Sequence, residues 1–230
     1  MDSFRDYRNS AALIEKGLGI DGQLEDWAAD CSLQYSYTTV GVKQRSASVF
    51  SNYYHVYKNI WVAHTWNLYR SIRILLNEMM LEQLIHLSQS PLEQCNRGNI
   101  SKHIEHITSP YEEQITFCRS VLVQLPWDIC ASVPFYLEHH HRPQFSESAE
   151  SLGPRAAGGN LLLWPLYVAA CTDVVSDAMR MWVVGRLEKM AEVMGIRQAQ
   201  VLAYSLSVRK DPPELKMIDL DTTEDMSSDE

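Results

Sequence analysis

From Leu161 to Leu202 the apolar residues return at the spacing of a helix. Val175, Met179, Trp182, Val183, Leu187, Met190 and Met194 fall on one side of a 3.6-residue repeat, and Asp177, Arg180, Glu188 and Glu192 fall on the other. A strand turns over every second residue, so this pattern cannot settle in a sheet with one face buried. Gly195 follows the last periodic residue, where a glycine closes a helix in the left-handed conformation, and Ile196 opens a second run through Ala199, Leu202 and Leu206. The chain must therefore be built by stacking amphipathic helices.

Upstream the same period recurs. A long aromatic helix begins near Ser51, and its stripe of Tyr54, Tyr57, Trp61, His64, Leu68, Ile72, Leu75 and Met79 reads as the centre of the core. Trp66 and Tyr69, with Arg70 and Arg73 nearby, leave that helix little polar surface, as expected of one surrounded by others. Short helices are expected over Ser10 to Lys16, ending at Gly17-Leu18-Gly19, then over Leu24 to Ala29 beyond the Asp21-Gly22 turn, and over Ser101 to Ile107. Ser109-Pro110-Tyr111-Glu112 starts another, carrying Ile115, Cys118, Val121, Leu122 and Leu125, which Pro126 and Pro134 interrupt. Ser32 to Ser48 reads as a connection without strands. Glu138 to Asn160 reads as an excursion rich in Ser, Gly and Pro, with Asn160 capping the next helix. The expected fold is all-α: a single domain over residues 1–210 of about 8 to 10 helices, followed by a disordered acidic tail over 211–230.

That tail holds eight acidic residues against Lys216 alone, a net of −7 within a whole-chain charge of −9. Leu215, Met217, Ile218, Leu220 and Met226 between the acids are too few to form a core. The composition suits either a solubilising tail or an acidic-hydrophobic segment that folds onto a partner groove. With Lys+Arg 20 against Asp+Glu 29 and no basic run, the chain lacks the concentrated positive charge a phosphate backbone requires. Arg70 with Arg73, and Arg5 with Arg8, read as solvated or paired arginines. No apolar run long enough to cross a bilayer and no secretory leader is visible, so an intracellular protein away from membranes is expected. Five scattered cysteines, Cys31, Cys95, Cys118, Cys130 and Cys171, form no C-x-x-C pair and read as small hydrophobes in a reducing compartment. Consecutive His139-His140-His141 point in different directions and read as a solvated loop, not a metal site, while the Asn99-Ile100-Ser101 sequon stays unmodified. Neither a metal nor a cofactor is expected.

Trp164-Pro165-Leu166-Tyr167-Val168-Ala169-Ala170, then Met181-Trp182, Arg186-Leu187-Glu188 and Met194-Gly195-Ile196-Arg197-Gln198-Ala199, resemble the closing part of the fungal-specific transcription factor domain. The helix from Asn59 through Trp61, Trp66 and Arg70 to Glu78 is similar to the same family, so the resemblance spans Trp27 to Ser207. Such a domain normally follows a binuclear zinc cluster, which needs six closely spaced thiolates. Those are missing here, so DNA contact does not carry over.

The resemblance implies a regulatory domain that binds a small effector or a partner protein, with a homodimer among the associations it allows and a nuclear location. The alternative is a free-standing, cytoplasmic relative recruited to secondary metabolism, which binds a metabolite or cyclises it without a cofactor. Its aromatic pocket would take Trp61, Trp66, Tyr69, Trp164, Tyr167 and Trp182, with His64, Arg70 and Tyr167 as the polar groups orienting the ligand or acting in catalysis. No local catalytic motif such as G-x-S-x-G or H-E-x-x-H is present, and the reading leans away from an enzyme.

Overall fold

The computed structural model describes residues 2–31, 33–42, 47–89, 111–137 and 152–208. Its elements are α1 (Asp2–Ala29), β1 (Tyr37–Gly41), β2 (Tyr53–Tyr57), α2 (Ile60–Ser88), α3 (Glu112–Leu137), α4 (Leu152–Cys171), α5 (Asp177–Met194) and α6 (Arg197–Val208). The fold is mostly helical, but the all-α expectation of about 8 to 10 helices is corrected. Six helices and a two-stranded antiparallel sheet occupy the described residues.

The count falls because residues that break helices locally are overridden by packing. Gly17, Gly19 and Gly22 all lie inside the single helix α1, where the loss relative to alanine is about 1 kcal/mol each. At Gly17 the exchange is visible. A β-carbon there would lie 2.6 Å from Met80 Sδ, so the missing side chain is what lets α1 approach α2. Pro126 and Pro134 sit within α3 and do not end it, being buried together with Leu122, Leu125, Ile129 and Val133. Asn160, expected as a cap, is interior to α4.

The strands come from a segment read as a connection and from residues assigned to the start of the long helix. Tyr37 pairs with Tyr57, Thr39 with His55 and Gly41 with Tyr53. Cross-strand aromatic and β-branched pairs stabilise such a ladder. The long helix therefore starts later than Ser51, at Ile60, where Asn59 accepts hydrogen bonds from the Trp61 and Val62 amides.

Helix α2 is central, packing against α1, α3 and α4, while β2 packs on α3. The stripe expected at the core centre points the other way. Trp61, Leu68, Ile72, Leu75 and Met79 are exposed, and the buried face carries Val62, Ala63, Trp66, Asn67, Arg70, Arg73, Ile74, Asn77 and Met80. At the C-terminal end the sequence reading holds. Met179, Val183, Leu187 and Met190 are buried, Gly195 adopts φ 68°, and Ala199 and Leu206 seat α6, while the Ser176 cap that starts α5 was not read from the sequence.

Helix α3 is long and apolar enough to cross a membrane by length and composition, contrary to expectation. Contact with α2, α4 and β2, burying Cys118, Leu122, Ile129 and Val133, accounts for its apolar composition. The expected helix at 101–107, Ser109 and Pro110 of the expected helix start, the sequon, Cys95, the three histidines and the acidic tail lie outside the described residues.

Candidate functional site around Arg70

Where the hairpin meets α2 and α3, a polar group is enclosed by aromatic rings. Arg70 is 1% exposed, although it reads as a solvated or paired arginine in the sequence. Its Nη1 donates to Tyr57 Oη at 2.7 Å and to Asn67 Oδ1 at 3.0 Å. Its guanidinium carbon lies 5.1 Å from the Tyr37 ring centre, 5.7 Å from Trp66 and 5.9 Å from Tyr57. Ring faces carry negative charge, so three of them stabilise a cation that water cannot reach. No carboxylate comes within ion-pair distance among the described residues, and Nη2 has no hydrogen-bond partner there. Burial pulls the Arg70 pKa down, and Tyr57, Tyr37 and Asp128 raise it by more, so it remains a cation. Burial pushes Tyr57 up to about 12, against the pull of Arg70.

Asn67 Nδ2 extends the network to Ser132 Oγ at 2.8 Å, tying α2 to α3. Tyr136 Oη, also buried, makes no hydrogen bond of sound geometry, and burial raises its pKa well above the ordinary 10, with Arg70 and Asn67 opposing. On the hairpin side, His55 is buried, its Nδ1 3.2 Å from Thr39 Oγ1 and its Nε2 3.5 Å from Asp128 Oδ1. That last contact is too long and poorly aligned for a strong hydrogen bond. Desolvation lowers the His55 pKa, with Asp128 opposing and Arg70 assisting. Gln124 Nε2 holds the same carboxylate oxygen at 3.0 Å.

Arg73 is different in kind. Its Nε and Nη2 grip Asp21 at 2.8 and 2.6 Å, Nη2 also reaches Glu25 at 2.8 Å, and Nη1 donates to Tyr69 Oη at 3.0 Å. This forked ion pair locks α1 onto α2.

The residues expected to line one pocket are spread over four places. Trp66 and Tyr69 pack with Trp27 and Tyr37, and the Trp66 indole donates to Tyr35 O at 2.6 Å. Trp182 lies against Phe50, under Arg186, and donates to Ala47 O at 3.1 Å. Trp164 and Tyr167 share α4, their ring centres 6.2 Å apart, and Trp61 is 68% exposed. Of the polar candidates, Arg70 sits in the buried cluster and Tyr167 is half-buried on α4. His64 is half-buried beside the Leu161 backbone, with its Nδ1 unpartnered and its pKa lowered by desolvation. An open groove of about 460 Å³, lined by Ser10, Leu13, Glu82, Gln83 and His86, lies between α1 and the far end of α2.

His55, Asp128, Tyr37 and Asn67 were not singled out from the sequence, and Tyr57 was read only as part of the core stripe. The signal for Asn67, Arg70 and Asn77 was present as polar residues at i, i+3 and i+10 along one face of an otherwise apolar helix. Cys118 and Cys130 are buried, Cys31 and Cys171 half-buried, and burial pushes the Cys118 thiol up to about 11. No group of three His, Cys, Asp or Glu suited to a metal occurs among the described residues. No family model, curated protein or solved structure matches this chain.

Proposed function

We propose that the chain is a regulatory helical domain of the fungal transcription factor type, acting by binding a partner protein or a small effector, with no DNA-reading module in this sequence. The observation that supports this reading is the surface. Trp61, Leu68, Ile72, Leu75 and Met79 on α2, Trp164 on α4, and Val201 and Tyr204 on α6 are large apolar side chains facing solvent. Apolar surface of this extent marks association more than solubility. The reading is tested by fusing residues 1–230 to a heterologous DNA-binding module in a fungal reporter strain. Reporter output should change, and removal of 211–230 should reduce any activation. A fusion that is expressed and nuclear yet leaves the reporter unchanged contradicts it.

A second reading, a metabolite-binding protein, is favoured by one observation: the unpartnered Arg70 Nη2 and Tyr136 Oη in the buried cluster. Buried polar atoms ordinarily have partners. An anionic group of a metabolite would supply them once the hairpin opens, since Arg70 is enclosed in the folded chain. Native mass spectrometry of the protein from fungal extract would then show a retained small molecule, whereas the bare chain mass counts against this reading.

A further inference from the structure

The exposed stripe of α2 has an ordered spacing. Trp61, Thr65, Leu68, Ile72, Leu75 and Met79 follow each other at intervals of four, three, four, three and four residues. This is the seam repeat by which one helix packs along another. Glu82, exposed, continues it by one step beyond Met79, and Lys58, also exposed, lies just before the Asn59 cap at the other end of the helix. The series reads the same in both directions about residue 70.

We propose that this face pairs two copies of the chain, α2 lying antiparallel on α2 of the second copy, with the two-fold axis passing between Leu68 and Ile72. An interface between identical copies must be complementary to itself, and this one is. Leu68 meets Ile72 of the second copy, Thr65 meets Leu75 and Trp61 meets Met79, which brings the end carrying Lys58 to the end carrying Glu82. The opposite, parallel arrangement sets Lys58 against Lys58 and Glu82 against Glu82, so charge selects the antiparallel one.

The acidic tail is a poorer occupant. From Trp61 to Met79 the only cations are Arg70 and Arg73, both turned into the core, so a segment of net charge −7 finds no partner on the stripe and meets Glu82 at its end. Pairing covers Trp61, 68% exposed, and Ile72, 49% exposed, which otherwise remain in water. The seam buries on the order of 1,000 Å² over both copies, the lower end for a specific complex and the size of weak, transient associations, for which a micromolar dissociation constant is the expectation to be tested. This association does not depend on the regulatory reading.

Sedimentation of the 230-residue chain over about 1–100 µM, a range set by that affinity, should show a reversible shift from 26.4 kDa to twice that mass. Leu68→Glu, at an exposed position, should leave the circular dichroism spectrum unchanged and weaken dimerisation tenfold or more. Lys58→Glu and Glu82→Lys should each weaken it about two- to fivefold, and the double exchange should restore it. A monomer at the highest concentration overturns the proposal, as does a dimer indifferent to Leu68→Glu. Loss of dimer in Leu68→Glu without rescue in the charge-exchanged double variant overturns the antiparallel register.

Discussion

The two arginines one turn apart on α2 solve burial differently, and their substitutions should separate accordingly. Arg73 is held by Asp21 and Glu25, so Arg73→Met strands the buried Asp21 carboxylate and should cost about 3–5 kcal/mol in urea unfolding. Arg70 has no carboxylate partner within reach, so Arg70→Met removes a costly buried charge together with its two hydrogen bonds and ring contacts. The terms nearly cancel, and the change should stay within about 2 kcal/mol. His55 sets a pH dependence. The folded protein holds it below its ordinary 6.5 by desolvation, so the unfolded chain takes up the proton first as pH falls. Stability contributed by neutral His55 is therefore complete above about pH 6.5 and lost as pH falls through the depressed folded value. His64, shifted the same way, adds to the slope. Unfolding midpoints measured at pH 7.5 and pH 5 should converge in His55→Gln relative to the parent protein.

At the scale of elements, glycine positions distinguish local preference from packing. Gly22 in α1 and Gly185 in α5 have open space where a β-carbon would go, so Gly22→Ala and Gly185→Ala should each raise stability by about 0.5–1 kcal/mol. Gly195, at φ 68°, ends α5, and Gly195→Ala should lower stability by about 1 kcal/mol; melting temperatures of the three variants check the signs. This contrast also explains what was legible in the sequence. The junction of α5 and α6 was readable because its signals are local: a periodic stripe, a closing glycine, a restart. The unity of α1 and α3 was not, because α1 continues through Gly17, where its backbone packs against Met80, 63 residues away, and α3 runs through prolines that are themselves buried. The hairpin was missed because β1 is only five residues long and contains Thr38 and Thr39, whose meaning appears once Tyr57 and His55 lie opposite.

For the whole molecule, the question is which face of α2 is inside. The helix is apolar on one side, and on the other mixes Val62, Ala63, Trp66, Ile74 and Met80 with Asn67, Arg70, Arg73 and Asn77. Period alone assigns the cleaner stripe to the core, and here the mixed side is buried because its polar groups, besides bonding to one another, find partners in other elements: Ser132 on α3, Tyr57 on β2 and Asp21 on α1. Those partners are distant in sequence, which is why the Arg70 cluster could not be assembled from spacing. Two tryptophans five residues apart report the orientation directly. Trp66 is 9% exposed, bonded to Tyr35 O and packed among Trp27, Tyr37 and Tyr69, so Trp66→Ala should cost about 3–5 kcal/mol. Trp61 faces solvent in the monomer, so Trp61→Ala should change monomer stability by less than about 1 kcal/mol. Unfolding followed by circular dichroism at sub-micromolar protein, where association contributes nothing, measures both. Equal losses in the two variants would mean that α2 is buried on both sides within one chain, and would remove the free face from which its association is argued.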